Sequence, residues 1–226
     1  MSLCLGIMKK AVVLLSGGLD SATLLYYAKA RGFQAYCLIL DYGQRHQVEI
    51  EHAQRIARQA GVPYKLVQLT FPWQGSSLLD RKMRLPRRKE INPQEIPSTY
   101  VPARNIIFLS LAASYAEAVG ASAVFIGANA VDYSGYPDCR PEFFKAYQQA
   151  LRKGTKAGVQ KKAVKICAPF VRKTKAEIIK LGAGLKVPYH WTWSCYRGGK
   201  RPCGKCDSCL LRRRGFEAAG LPDPLV

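Results

Sequence analysis

Residues 14–25 read LLSGGLDSATLL, an apolar run that breaks at Ser-Gly-Gly and resumes with helical patterning. A strand, a tight turn and a helix start are the simplest reading. Gly17 and Gly18 clear side chains from the turn, so backbone N–H groups can face a phosphate. Ser16 and Ser21 add hydroxyl donors. Asp20 alone would repel a phosphate, and makes sense where Mg2+ bridges its carboxylate and the phosphates. A dinucleotide fingerprint would need Gly-x-Gly-x-x-Gly and a Walker loop Gly-Lys-Ser/Thr; neither is present.

A second group is Cys195, Cys203, Cys206 and Cys209, spaced C-x7-C-x2-C-x2-C in a basic frame. One Cys-x-x-Cys pair would suit redox work, and the basic frame would suit a nucleic-acid hook. Four thiolates this close match tetrahedral Zn2+ best, with an iron–sulfur cluster as the alternative. Gly198, Gly199 and Gly204 supply tight turns whose N–H groups can face the sulfurs. Nearby arginines and lysines offset part of the formal negative charge of a Zn–thiolate site.

A third group, GANAVDYSGYPDCRPEFF, covers residues 127–144. Asp132, Tyr133, Tyr136 and Asp138 offer acceptors and rings for a flat heterocycle with N–H donors, and Arg140 could pair with a substrate carboxylate. The alternative is that Pro137 and Pro141 shape a turn and Asp138 caps the next helix. Cys139 has no histidine near it in sequence, so it is a contact residue before it is a nucleophile. Arg104 and Asn105 open a helix in VPARN. A cation there opposes the helix dipole unless an anion is near.

These groups need a scaffold. The runs at 11–15, 34–43, 64–69 and 122–128 read as strands, and 21–31, 47–60, 105–119 and about 142–151 as helices. Thr174 with Glu177 makes a capping box for a short helix ending at Gly182. Residues 71–100, with a cluster of basic residues at 81–89, and residues 153–165 read as exposed basic loops. The tail from about Val187 reads as irregular. Alternating strands and helices predict a parallel sheet covered on both faces, with ligands at the carboxyl ends of the strands. Asp41, Gly127 and Asn129 would reach that edge. The expected division is an α/β domain over 9–186 and a four-cysteine segment over 187–226 packed on it.

At 226 residues, 48% of them hydrophobic, the chain can bury a sizeable core. No run approaches a membrane span. The amino terminus is not a convincing secretory signal, and Met8 is an alternative start. A cytoplasmic, reducing compartment is expected, so the eight cysteines are read for metal or catalysis before disulfides. The net charge of +20 suits anionic partners, nucleotides or nucleic acid, without specifying a reaction.

The phrase LSGGLDS resembles the pyrophosphate loop of the ATP pyrophosphatase superfamily, whose members adenylate a substrate oxygen. Together with ILDYGQRH, YVPARN, NAVDYSGYPDCRPEF, TKAEIIKLG and TWSCYRGGKRPCGKCDSC, it resembles the 7-cyano-7-deazaguanine synthase family of queuosine biosynthesis, over about residues 11–216. The resemblance implies an adenine-nucleotide alpha-hydrolase-like, Rossmann-like α/β fold with a small zinc-bound carboxyl-terminal subdomain. It implies ATP and Mg2+ as cofactors, and one structural Zn2+ per subunit on Cys195, Cys203, Cys206 and Cys209. The ATP loop falls on Leu15, Ser16, Gly17, Gly18, Leu19, Asp20, Ser21, Ala22, Thr23, Leu24 and Leu25.

The implied reaction converts 7-carboxy-7-deazaguanine and ammonia to the nitrile. Asp20 places Mg2+, and Arg104 and Lys175 offset charge on the transferring phosphorus. Asp132 and the tyrosines hold the deazapurine. Because adenylation needs no electrons, an iron–sulfur cluster is disfavoured. The zinc site is then a staple that acts from outside the reaction, although Tyr196 and Arg197 are placed to reach the cleft. A homodimer is expected, acting on small molecules. Direct tRNA binding is not expected, although the basic surface leaves room for it. The alternative is a tRNA-modifying thiolase or amidoligase with the same loop.

Overall fold

The computed structural model describes residues 8–45, 47–73, 75–80, 82–83, 96–130 and 135–225. Asp132, Tyr133 and most of the basic 81–89 segment lie outside the described residues, as do residues 1–7. Five strands, β1 Lys10–Leu14, β2 Gln34–Asp41, β3 Tyr64–Gln68, β4 Ala123–Phe125 and β5 Lys165–Cys167, form one sheet in the order β3-β2-β1-β4-β5. Every neighbouring pair is parallel. The order reverses between β1 and β4, which puts the switch point, and so the ligand crevice, at the end of β1.

The helices are α1 Leu19–Ala30, α2 Val48–Gln59, α3 Arg104–Val119, α4 Pro141–Gly154, α5 Lys156–Val159, α6 Lys175–Gly184 and α7 Asp207–Ala219. The two-residue period of a strand assigns β1 to two cores at once. Ala11 and Val13 face one layer with Ala22, Leu25, Ile56 and Ile178 from α1, α2 and α6. Val12 faces the other with Leu109, Ala112 and Phe144 from α3 and α4. Both faces are covered, which is why β1 reads as a continuous apolar run.

The tail is more ordered than the sequence reading, which had it irregular from about Val187. It contains a 3-10 turn at Tyr189–Trp191 and the thirteen-residue α7. Tyr189, Phe216 and Ala219 join the core beneath α1 and α6. The guanidinium of the buried Arg212 donates to both Asp223 carboxylate oxygens (2.8 and 2.9 Å), to Thr192 Oγ1 (2.7 Å) and to the Tyr189 carbonyl (3.2 Å). One buried guanidinium therefore ties the 3-10 turn, α7 and the chain end together. Residues 153–165 also differ from the expected loop: α4 runs to Gly154, α5 follows, and β5 is a fifth strand the sequence reading lacked. The capping box is present, with Glu177 N donating to Thr174 Oγ1 and Thr174 N donating to the Glu177 carboxylate.

Candidate active site

The turn after β1 is held by its own side chains. Ser16 Oγ and Ser21 Oγ lie 3.0 Å apart, the Ser16 N–H donates to Ser21 Oγ, and Ser21 Oγ donates to the Gly18 carbonyl. Gly17 has φ +85°, and a Cβ there would lie 2.3 Å from the Glu49 carbonyl oxygen of α2. Only glycine fits both constraints. Gly18 is the N-cap of α1 and supplies no side-chain cap. The positive end of α1 is therefore open toward the crevice, the arrangement that binds anions.

Asp20 stands in the first turn of that helix. Its Oδ2 accepts from Lys175 Nζ at 2.5 Å and from Asn129 Nδ2 at 3.0 Å. Its Oδ1 is buried and has no partner among the described residues. A buried carboxylate oxygen left bare calls for a cation or a donor from a ligand. Three segments thus converge: the first turn of α1, after β1, brings Asp20, the segment after β4 brings Asn129, and the capped start of α6 brings Lys175. Gly215 of α7 packs against the stem of Lys175 so closely that a Cβ would meet Lys175 Cγ at 2.5 Å.

Two cavities share this centre. The larger, about 260 Å3, runs from Ser16, Gly18, Asp20 and Ser21 past Leu38, Leu40 and Phe108 to Arg104, Tyr136 and Cys139. Its apolar walls suit flat rings. The smaller, about 170 Å3, lies on the other side of Gly18 and Asp20, against Asn129, Lys175, Ser194 and Ser208. Arg104 and Lys175 therefore serve different compartments, with Asp20 between them. Burial opposes the charge of Arg104, but the phenols of Tyr42 and Tyr136, a hydrogen bond with Tyr42 and the Cys139 thiol outweigh it, so its pKa rises. Tyr42 is raised chiefly by burial.

The remaining residues singled out from sequence divide by position. Leu15 and Gly127 line the larger cavity, and Leu19 the smaller. Ala22, Leu24 and Leu25 lie wholly in the core. Thr23 is buried too, bonded to the Leu19 carbonyl and to the Tyr189 hydroxyl. Asp41 sits at the end of β2, where its Oδ1 accepts from the Gly43 N–H. Tyr136 faces the larger cavity and bonds Thr99 through its hydroxyl at 2.7 Å. Asp138 is buried and turned toward α3: Oδ2 accepts from the Asn105 N–H at 2.9 Å, so it caps α3 rather than the following helix. Arg140 is the N-cap of α4. Tyr42, Gln44, Glu49, Asn105 and Phe108 also line the larger cavity. Of these, Asn105 is singled out in VPARN and Tyr42 falls at the end of the second predicted strand, whereas Gln44, Glu49 and Phe108 carry no signal of their own.

The four tail cysteines come together as their spacing predicts. Their sulfurs all lie within 4.8 Å of one another, partly or fully buried, under Trp193 and Tyr196. A Zn2+ with four thiolates needs sulfurs about 3.8 Å apart. Backbone N–H groups of Arg197 and Cys203 point at Cys195 Sγ, and that of Lys205 at Cys203 Sγ. Such donors stabilise thiolates. A hydrogen bond from the Cys209 thiol leads in holding Cys206 down at about 4, while Cys209 is pushed up by the same bond. The residues fit a structural Zn2+. Cys206 is also the N-cap of α7, so the metal would fix the start of the helix that seats Lys175.

Fold and site together define a doubly wound parallel α/β protein with an open helix start at its switch point and a four-cysteine cluster that could hold a metal ion. Residues 10–220 match the family described as Queuosine biosynthesis protein QueC. The chain is 54% identical to 7-cyano-7-deazaguanine synthase of Thermoplasma acidophilum, over 96% of this chain and 91% of that protein. It is 52% identical to the protein of that name from Trichodesmium erythraeum, over 96% of this chain and all of that one. Among solved structures, an NMN synthetase from Francisella tularensis superposes with a TM-score of 0.50 at 18% identity, over 95% of this chain and 78% of that one, and shows the same fold. The chain belongs to the QueC family of queuosine biosynthesis proteins, and its relatives' names mark it as an enzyme.

Proposed function

We propose that the protein is a 7-cyano-7-deazaguanine synthase, which converts 7-carboxy-7-deazaguanine and ammonia to the nitrile through adenylation by ATP. The observation that carries the reading is Asp20. Its bare, buried Oδ1 stands beside an uncapped helix start, at the sheet's switch point, in a chain half identical to proteins of that name. A carboxylate does not lose oxygen at neutral pH. In the first round its oxygen attacks the α-phosphorus, and pyrophosphate departs. Ammonia then displaces AMP and gives the amide. In the second round the amide oxygen takes the α-phosphorus of another ATP, and loss of AMP and protons leaves the nitrile.

The chain's residues divide the labour. The open end of α1, with Ser16 and Ser21, holds phosphate oxygens. Asp20 Oδ1 would hold Mg2+, which supplies charge neutralisation on the phosphates. Lys175, held on Asp20 Oδ2, offsets charge on the pyrophosphate side, and Arg104 does so on the side of the larger cavity. The leucine and phenylalanine walls of that cavity accept the rings and exclude water from the acyl-adenylate. We assign Asp132, Tyr133, Tyr136, Asp138 and Arg140 to recognition or shaping of the deazapurine end, with Asp138 acting through Asn105. A cytoplasmic homodimer acting on free small molecules completes the proposal. The seven described cysteines are all free, which agrees with a reducing compartment, and the dimer rests on the family resemblance.

A tRNA thiolase would need a reactive cysteine outside the metal cluster. Burial raises the thiol pKa of Cys37 to about 12, and burial also raises that of Cys167. The test is mass spectrometry of carboxylate, amide and nitrile with ATP and 15N-ammonium, with no RNA present. Both nitrogen-bearing products should form with AMP and pyrophosphate, and Asp20→Asn should slow them by on the order of 100-fold. Absence of both products from the wild-type protein would overturn the reading.

A further inference from the structure

The larger cavity holds a polar side chain to which the proposed reaction gives no task. Gln44, just past the end of β2, is 4% exposed and lines that cavity. Its Oε1 accepts from the Tyr42 N–H at 2.9 Å. That bond fixes which way round the amide sits, so the Nε2 end is the one left for the cavity. Nε2 has no hydrogen-bond partner among the described residues. A buried amide donor left unmet is costly, so the position calls for an acceptor on a ligand.

The other polar side chains of this cavity are engaged. Arg104 and Tyr42 share a hydrogen bond. Asn105 Nδ2 donates to the Asp138 carbonyl at 3.3 Å and to Cys139 Sγ at 3.1 Å, and Tyr136 bonds Thr99. Ser16 and Ser21 bond each other, and Glu49 and Tyr196 have partners too. Asp20 Oδ1 is bare, but it is an acceptor. Among the described residues, Gln44 Nε2 is therefore the unmet side-chain donor that this cavity offers to a ring. A neutral amide N–H suits a neutral oxo group, whereas a carboxylate goes to a cation. On 7-carboxy-7-deazaguanine the ring oxo group and the carboxylate hang from carbons bonded to one shared ring carbon, so both acceptors face the same side. Tyr42 ties matching donors together, since its N–H holds Gln44 and its hydroxyl holds Arg104. Tyr136, assigned above to the deazapurine end, stands close enough to Arg104 to bear on its charge.

We propose that Gln44 is a specificity-determining residue whose Nε2 donates a hydrogen bond to the ring oxo group of the deazaguanine. This rests on the synthase reading and adds to it the group that tells a guanine-type ring from one without the oxo. Neighbouring acceptors are then held together, the oxo on Gln44 and the carboxylate toward Arg104, which turns the carboxylate to the reacting centre beside Asp20.

The test is calorimetric titration of 7-carboxy-7-deazaguanine, and of its analogue with hydrogen in place of the oxo group, with Mg2+ and α,β-methylene-ATP present. Each is titrated into the full wild-type chain and into Gln44→Met, which has like length and no donor. The wild type should bind the oxo ligand roughly tenfold or more tightly than the analogue, and Gln44→Met should lose that preference. A purely structural role would weaken both ligands by one factor and leave their ratio intact, and that result would overturn the proposal. So would a wild type that does not discriminate, a readout that needs no variant to fold. Adenosine, titrated alone, should bind both proteins alike; a loss confined to adenosine would put Gln44 on the nucleotide and overturn the assignment. Failure of the synthase reading registers separately, as a wild type that forms neither amide nor nitrile from the carboxylate, ATP and ammonium.

Discussion

Gly215→Ala is the most direct test of how the tail positions Lys175. The added Cβ would lie 2.5 Å from Lys175 Cγ, 3.1 Å from Lys175 Cβ and 2.9 Å from Ile179 Cδ1. Carbon atoms settle about 3.5–4.0 Å apart, so the interface is short by about 1 Å. Either α7 retreats from α6 or the Lys175 stem moves off Asp20. Overpacking of this kind costs about 1–3 kcal/mol. For a chain of this size that is about 2–4 °C of Tm per kcal/mol. A displacement of about 1 Å in a group that positions the phosphates costs on the order of 100-fold in rate. Gly184, near the end of α6, is the control, because a Cβ there meets nothing within 4 Å. Gly184→Ala should leave the rate alone and stabilise by about 0.5–1 kcal/mol. The assay pairs pyrophosphate release at saturating substrate with a thermal melt. Wild-type rate and Tm in Gly215→Ala, or equal damage from Gly184→Ala, would refute the reasoning.

Stripping the metal with a chelator should loosen the start of α7 and lower both Tm and ATP affinity, with recovery on adding Zn2+; colorimetric zinc release should track the loss, and unchanged ATP binding in the stripped protein would break the link. Alkaline stability should report on Tyr189, whose hydroxyl is bonded to Thr23 and whose pKa burial pushes up to about 12. A raised folded pKa means that the contribution is intact below about pH 10 and is lost as pH climbs toward 12, by about 2–3 kcal/mol in all. Tyr189→Phe should cost about 1 kcal/mol at neutral pH and flatten the alkaline slope in urea titrations; an unchanged slope would remove Tyr189 as its source.

The parts legible in the sequence were those set by local rules. LLSGGLDS announces its strand, turn and helix within eight residues, and the cysteine spacing announces its metal set. Thr174 and Glu177 announce the start of α6. The parts missed depend on distant partners. β5 is three residues, Lys-Ile-Cys, at the sheet edge, too short for a periodic signal. α7 buries Cys209, Arg212, Gly215, Phe216 and Ala219, a face with helical spacing but with an arginine and a glycine where apolar residues are looked for. Arg212 is inside because Asp223, Thr192 and the Tyr189 carbonyl are there to satisfy it. Asp138 read as a ligand or a cap for α4, and its partner, the start of α3, lies 33 positions upstream.

The same blindness separated the two strongest motifs. In sequence, about 170 residues part the phosphate loop from the cysteines, and nothing local connects them. In the fold they are joined by the Trp193–Gly17 hydrogen bond, by Gly215 against Lys175, and by Lys175 on Asp20. A metal on Cys206 and Cys209 would hold the first turn of α7. α7 seats α6 through Gly215, and α6 delivers Lys175 to the carboxylate at the head of α1. Each link is a packed or hydrogen-bonded contact with little slack, so disturbance at the cysteines must either break a link or reach Asp20. A site built this way needs its irregular tail anchored. Four thiolates on one ion would supply such an anchor at the start of α7.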